Sequence, residues 1–364
     1  MSKCKLRIEI GVCKLNQLFS ELTIKNVTIK NRICIPPMVV KTSEDSYVKP
    51  ETVKHYETLA KGGAGLVIQE AACINEDGRL SKFQLGIWND NHIEGLKQIV
   101  DAVHAADSKI FIQIHHAGVN GIVDNPLCPS PYEYKSFGRH VVAREMTQDD
   151  IKSIQSDFIQ AARRAYEAGY DGMELHGCHG YLISQMLNKR VNKRTDEYGL
   201  HPEKFVLEIL DGIRTITPSS FLVGIRLGGF EPDLSAGLSY AKIFDQYGID
   251  FLDISYGFSN EQEFDVEENY PYSNAVYAAS KIKEVVSAPV FAVHKITSGE
   301  IAEKILEDTH VDMVDIGKGA LINPNWANDV KEGKDPGKCY YCSKCMWFGQ
   351  ARKCAGLVAL EKNK

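Results

Sequence analysis

Met173-Glu174-Leu175-His176-Gly177-Cys178-His179-Gly180-Tyr181-Leu182-Ile183-Ser184-Gln185, followed by Asn192-Lys193-Arg194-Thr195-Asp196-Glu197-Tyr198-Gly199, is the stretch that decides how this chain reads. A short apolar strand ends in two histidines three apart, with a tyrosine two residues on. Histidine pairs bind metals, act as acid–base catalysts or donate hydrogen bonds to an anionic oxygen, and a phenol beside them can deliver a proton. Chemistry at the C-terminal end of a strand is the habit of an α/β barrel.

Seven more apolar runs share the character of 172–176: 32–36, 65–70, 109–115, 221–227, 251–255, 290–293 and 313–317. Most are continuous rather than alternating, as in parallel strands covered on both faces. Amphipathic helices separate them. The clearest starts at Thr147, with Asp150 placed to complete a capping box and Gly169 to close the other end. Ile151, Ile154, Phe158, Ala162 and Ala165 form its apolar stripe. Eight strands alternating with helices predict a (β/α)8 barrel; the pattern alone also admits an open doubly wound sheet. Two segments break the alternation. Residues 120–145 are too long for a simple βα loop and follow the third strand, so they are expected over the active face. Residues 261–272, acidic and aromatic, read equally as a lid or as a solvated excursion.

The chain has 364 residues, 44% hydrophobic and 25% charged, with net charge −6. That is a soluble globular composition with no call for staples, and no basic excess directs it to nucleic acid or anionic membrane. No apolar run reaches the roughly 18–20 residues a membrane span needs, and the first ten residues lack a secretory h-region. Of the ten cysteines, Cys4, Cys13, Cys34, Cys73, Cys128 and Cys178 are scattered, which suits a reducing, cytoplasmic setting. Cys339, Cys342, Cys345 and Cys354 are clustered. Their spacing suits a [4Fe–4S] cluster or tetrahedral zinc.

The histidine run, with the Asn192–Gly199 run behind it, resembles the Old Yellow Enzyme family of FMN-dependent ene-reductases, from about residue 18 to 326. The resemblance implies an FMN-binding TIM barrel over 18–330, an N-terminal extension over 1–17 and a cysteine-rich tail over 331–364. It implies an oxidoreductase that takes hydride from NAD(P)H and reduces the C=C bond of an α,β-unsaturated carbonyl or related activated alkene. His176 and His179 then hold the substrate's carbonyl or nitro oxygen, and Tyr181 protonates the α-carbon. The alternatives are a metal site for the histidines, without a convincing third ligand, and a packing role for Tyr181.

The same resemblance assigns the flavin contacts. Pro37 and Met38 lie along the flavin, followed by Val39 where relatives carry Cys or Thr, a change expected to alter flavin reactivity. Ala71 faces the ring through its backbone. Gln113 meets the pyrimidine edge, and Arg226 stands near N1, where a cation stabilises the reduced, anionic ring. Gly317 and Lys318 reach the phosphate, with lysine in place of the usual arginine. His294, followed by Lys295, stands where glycine is common, and either limits backbone approach or adds a phosphate contact. The tail resembles the cluster segment of the 2,4-dienoyl-CoA reductase and 2-enoate reductase branch, with tighter spacing; cluster, zinc and no metal stay open. The chain stops at Lys364, so the FAD- and NAD(P)H-binding region of that branch is not expected. A working cluster implies an external electron donor and a second reading, the flavin subunit of a larger redox complex. A non-catalytic, metabolite-binding barrel is a third. Self-association into a homo-oligomer is compatible with each.

Overall fold

The computed structural model describes residues 15–362 except 137–138 and 259–260. Eight parallel strands close into a barrel. They are β1 (Ile33–Ile35), β2 (Leu66–Cys73), β3 (Lys109–His115), β4 (Gly172–Gly177), β5 (Leu222–Gly228), β6 (Phe251–Ser255), β7 (Val290–Ala292) and β8 (Met313–Asp315). Each pairs with its neighbour in chain order, and β8 returns to β1. The closed ring excludes the open doubly wound sheet. The candidate strands match these elements to within a few residues, because a run buried on both faces carries its signal in plain hydrophobicity.

Side chains alternate inward and outward along a strand, so the barrel interior fills in layers. Phe111, Phe251, Phe291 and Met313 form an apolar floor, with ring centroids 5.2 Å apart for Phe111 and Phe251 and 5.0 Å for Phe251 and Phe291. A Cβ at Gly224 would lie 2.3 Å from the Phe251 ring, so only glycine fits beside that stack. The N-terminal hairpin, Leu22–Ile24 paired with Val27–Ile29, joins the same cluster and closes the barrel below. Two residues further along the strands the interior becomes polar: Gln113, Glu174, Arg226, Asp253 and Asp315, all buried. Two residues further again, at the C-terminal mouth, stand His115, His176, Ser255 and Gly317.

The helix Gln148–Glu167 has the expected capping box: Thr147 Oγ1 accepts from Asp150 N (3.1 Å), and the Asp150 carboxylate accepts from Thr147 N (2.8 Å). Gly169 follows with φ +93°. The 120–145 excursion is more ordered than its composition implied. Tyr132–Ser136 and Arg139–Glu145 pair antiparallel, and Leu127–Cys128 joins the second strand. Residues 261–272 are irregular but pinned: Phe264 lies 5.1 Å from Phe230 and 5.0 Å from Tyr256, and Asn188 Nδ2 donates to Glu261 O (3.2 Å). No helix among the described residues is long and apolar enough to cross a membrane. The expected N-terminal extension lies almost wholly outside the described residues, as do Cys4 and Cys13.

Candidate active site

β4 delivers His176 at its end, and the turn after it carries His179 at φ +65° and Gly180 at φ +68°. A non-glycine residue in the left-handed region costs about 1–2 kcal/mol and persists only where its surroundings hold it. Here the holder is Glu231, which accepts from the backbone amides of His179 and Gly257 at Oε1 (2.8 Å each) and from the Ser184 hydroxyl at Oε2. Burial raises the Glu231 carboxyl, and these donors oppose the rise. The sequence reading missed Glu231, whose signal was an acid beside a buried aromatic in the Gly228–Pro232 turn. Glu231→Ala orphans two backbone donors at about 1–3 kcal/mol each. The expected outcome is a lowered melting temperature with an even larger loss in turnover, read by thermal denaturation and steady-state rates on one preparation.

The strained turn makes the histidines converge. His176 Nε2 lies 3.1 Å from His179 Nδ1, and His179 Nε2 lies 2.9 Å from Ser255 Oγ. Burial holds both imidazoles well below the usual histidine range, and neighbouring charged and imidazole groups add to it, so both are neutral. A neutral imidazole has one donor and one acceptor. When the Ser255 hydroxyl donates to His179 Nε2, the proton of that ring sits on Nδ1, facing His176. His176 Nε2 then accepts from it, and the His176 proton lies on Nδ1, which is buried without a partner. Tyr181 caps the short helix Leu182–Leu187, and its ring centroid lies 4.7 Å from that of His176 and 6.5 Å from that of His179. His115 packs behind, 4.6 Å from the Tyr181 ring and 5.3 Å from His176, lowered by burial to about 3.

The expected catalytic trio is therefore brought together. The metal alternative gains a third ligand type, since donor atoms of His176, Cys178 and His179 lie within 4.8 Å of one another. Burial pushes the Cys178 thiol well above its usual range. The second half of the diagnostic run serves architecture. Arg194 pairs with Asp196 and donates to Pro129 O (2.9 Å) and Met146 O. Asn192 Nδ2 donates to the carbonyls of Met186 and Tyr198 (2.8 Å each). Together they fasten the helix after β4 to the 120–145 excursion.

Beside the histidines, a cavity of about 330 Å³ opens at the ends of β1, β5, β7 and β8. Pro37, Met38, Arg226, His294, Gly317 and Lys318 line it, as expected for flavin contacts. Val39, Ala71 and Gln113 do not. Val39 lies half-buried in the loop after β1. The Ala71 carbonyl accepts from Gln84 Nε2 (2.9 Å). Gln113 Nε2 donates to Glu174 Oε1 (2.7 Å) from the layer below. His294 and Lys295 both take positive φ, +83° and +58°, the conformation that explains why glycine is usual there. Burial lowers His294 to about 4, so it offers a neutral ring, edge-on to Tyr256 at 5.1 Å. Lys295 and Lys318 supply the charge.

Arg226 decides what the cavity suits. Its guanidinium is 5% exposed, faces the cavity, reaches Asp253 Oδ2 only at 3.4 Å and leaves Nε without an acceptor. A buried cation with a spare donor, two lysines at the far rim and an apolar Pro37–Met38 wall fit a flat, anionic, phosphate-bearing cofactor such as FMN.

The tail enters this cavity, a contact the sequence reading did not foresee. Tyr341 lines it, with Lys318 Nζ 5.1 Å from its ring centroid, and Trp347 Nε1 donates to Leu321 O (2.9 Å). The thiols of Cys339, Cys342, Cys345 and Cys354 are free and at least partly exposed. Among the described residues they do not form a group with donor atoms together as His176, Cys178 and His179 do. In this arrangement they are not gathered as the ligands of a cluster or a zinc ion are.

The family model described as NADH:flavin oxidoreductase / NADH oxidase matches residues 17–336. The NADPH dehydrogenase of Bacillus cytotoxicus is 38% identical over 336 residues, covering 88% of this chain and 95% of that protein. The NADH oxidase of Thermoanaerobacter brockii is 36% identical over 344 residues, 90% of this chain but only 52% of that longer protein. Morphinone reductase in complex with tetrahydroNAD superposes with TM-score 0.71 at 25% identity, covering 87% of this chain and 90% of that one. The Old Yellow Enzyme homologue of Zymomonas mobilis superposes with TM-score 0.76 at 24% identity, 89% and 95% covered. With the barrel, the cavity and the histidine pair, these matches place the chain in the NADH:flavin oxidoreductase / NADH oxidase family, as an FMN-dependent NAD(P)H oxidoreductase of the Old Yellow Enzyme type.

Proposed function

We propose that the enzyme reduces the C=C bond of an α,β-unsaturated carbonyl or a related activated alkene. The observation that carries this reading is the geometry of two neutral histidines whose facing nitrogens, 3.1 Å apart, can both donate to one oxygen. Bound FMN supplies the hydride, received from NAD(P)H. Without substrate, one histidine nitrogen accepts from the other. With the His176 proton moved to Nε2, a carbonyl oxygen at the facing nitrogens accepts from both rings, which polarises the alkene and stabilises the charge that develops as hydride arrives at the β-carbon. Ser255 fixes the His179 tautomer, Glu231 fixes its backbone, and Tyr181 stands ready to protonate the α-carbon. Lys295 and Lys318 would hold the phosphate, and Arg226 would stabilise negative charge on the flavin ring.

The test is product analysis. Anaerobic incubation with NADPH or NADH and 2-cyclohexenone is expected to give cyclohexanone; NAD(P)H oxidation that yields only unreduced enone would overturn the proposal. The pH profile gives a second check. Both histidines lie well below the usual value of about 6.5 and stay neutral as pH falls through it. The alkene half-reaction is therefore expected to show no histidine inflection near pH 6.5. An inflection there that vanishes in a His176→Ala/His179→Ala protein would contradict the neutral clamp.

The reading as the flavin subunit of a larger redox complex draws no support from the tail, whose thiols are not gathered.

A further inference from the structure

Beneath the cavity, three carboxyl groups share one cation. Glu174 on β4, Asp253 on β6 and Asp315 on β8 are 0%, 0% and 2% exposed. Arg226 on β5 stands in register with Asp253, and Gln113 on β3 with Glu174. Asp253 is central: it contacts both Glu174 and Asp315, and Asp315 contacts the Cys34 thiol on β1. Yet Glu174 Oε2 and both oxygens of Asp253 and of Asp315 have no donor if all three groups are ionised.

Two carboxylates in contact repel, and a buried carboxylate without a donor or a cation is unfavourable by several kcal/mol. Contact turns into a hydrogen bond only when one member of each touching pair carries a proton. The two contacts, Glu174 with Asp253 and Asp253 with Asp315, need two protons among three groups. The remaining negative charge then balances Arg226. The apolar floor lies below this layer, so the counter-charge cannot come from there. The other titratable groups facing it are Cys34, Cys178, His176, His179 and His294, none of them a cation, since the thiols are raised and the imidazoles lowered by burial; Lys295 and Lys318 line the cavity with Asp315 and are the cations assigned to the cofactor's phosphate.

We propose that Glu174, Asp253 and Asp315 form a proton-sharing acid chain that takes up one further proton when the cofactor above Arg226 gains negative charge. This rests on the proposed placement of the flavin ring beside Arg226. Two electrons and one proton arrive together as hydride, leaving the reduced ring anionic. Arg226 then balances that charge instead of the acid chain, and the last carboxylate binds a proton from solvent. Asp315 lines the cavity, so the proton enters there. The flavin and the nicotinamide exchange the hydride, and the acid chain exchanges only a proton with water.

Two measurements test this. Infrared spectra of the purified protein at neutral pH are expected to show protonated carboxyl C=O absorption that shifts in D2O and weakens in Asp253→Asn and Asp315→Asn. Full carboxylate character in the wild type would overturn the shared protons without reference to activity. In the second, FMN-loaded protein is reduced by stoichiometric NADPH, anaerobically and without alkene, in weak buffer with a pH-indicator dye. Hydride transfer alone to an anionic reduced ring consumes no proton from solution. About one proton per flavin is expected to disappear while the flavin spectrum stays that of the anionic reduced form, and Asp253→Asn is expected to lose most of that uptake. The equilibrium of flavin reduction by NADPH in the wild type should then change about tenfold per pH unit rather than not at all. Reduction without uptake, or uptake with a neutral reduced-flavin spectrum, overturns the inference alone. A protein that retains no FMN overturns the flavin placement, and this inference with it.

Discussion

Replacing both His176 and His179 with alanine is expected to slow alkene reduction by roughly 10²-fold or more, the scale of losing oxyanion donors. The facing nitrogens of the two side chains lie 3.1 Å apart, where both can donate to one oxygen. The signature is the split between half-reactions. Stopped-flow reduction of the flavin by NADPH should fall far less than reoxidation by enone, because hydride arriving from nicotinamide needs no oxyanion clamp. Equal losses in both halves would instead mean that the turn after β4 had collapsed. Ser255→Ala gives a milder relative of the same result, since it frees the His179 tautomer without removing a ring.

The second large effect belongs to Arg226. Removing one partner of a buried charge pair costs about 3–5 kcal/mol when the other is left charged. Arg226→Ala leaves Asp253, Glu174 and Asp315 with no cation in their layer, and the acids then relieve the repulsion by taking up protons. The variant is expected to melt well below the wild type at neutral pH and to regain stability as the pH is lowered. The sign follows from the acids: their folded values are raised, so the folded state holds more protons than the unfolded one, and the stability they contribute fades as pH rises. FMN is expected to be lost on gel filtration. A variant that keeps wild-type melting and FMN would show that Arg226 is neither counter-ion nor flavin contact.

The barrel was legible because each strand is a continuous apolar run, and the candidate catalytic trio because His176, His179 and Tyr181 lie within one short stretch at a strand end. The helix at Thr147 was legible from its cap. What escaped was every contact made by residues distant in sequence. Glu231 holds His179 across 52 positions, Ser255 across 76, and Tyr341 reaches the cavity from the tail. The acid chain did leave a trace: Glu174, Asp253 and Asp315 each interrupt an otherwise apolar strand at an inward position. A charged residue in such a run is expensive unless paired, so three in one ring were a signal of a shared interior. The Asn192–Gly199 run shows the opposite error of emphasis. It is as diagnostic as the histidines, yet its Arg194 and Asn192 bind backbone carbonyls and position the loops around the site.

The most direct test is a single anaerobic cuvette. Freshly purified protein, reconstituted with FMN, is bleached with one equivalent of NADPH and then mixed with 2-cyclohexenone. The oxidised flavin spectrum is expected to return in step with formation of cyclohexanone, one per flavin. A spectrum that stays bleached in the presence of enone, and recovers only when oxygen is admitted, would contradict an alkene clamp at His176 and His179.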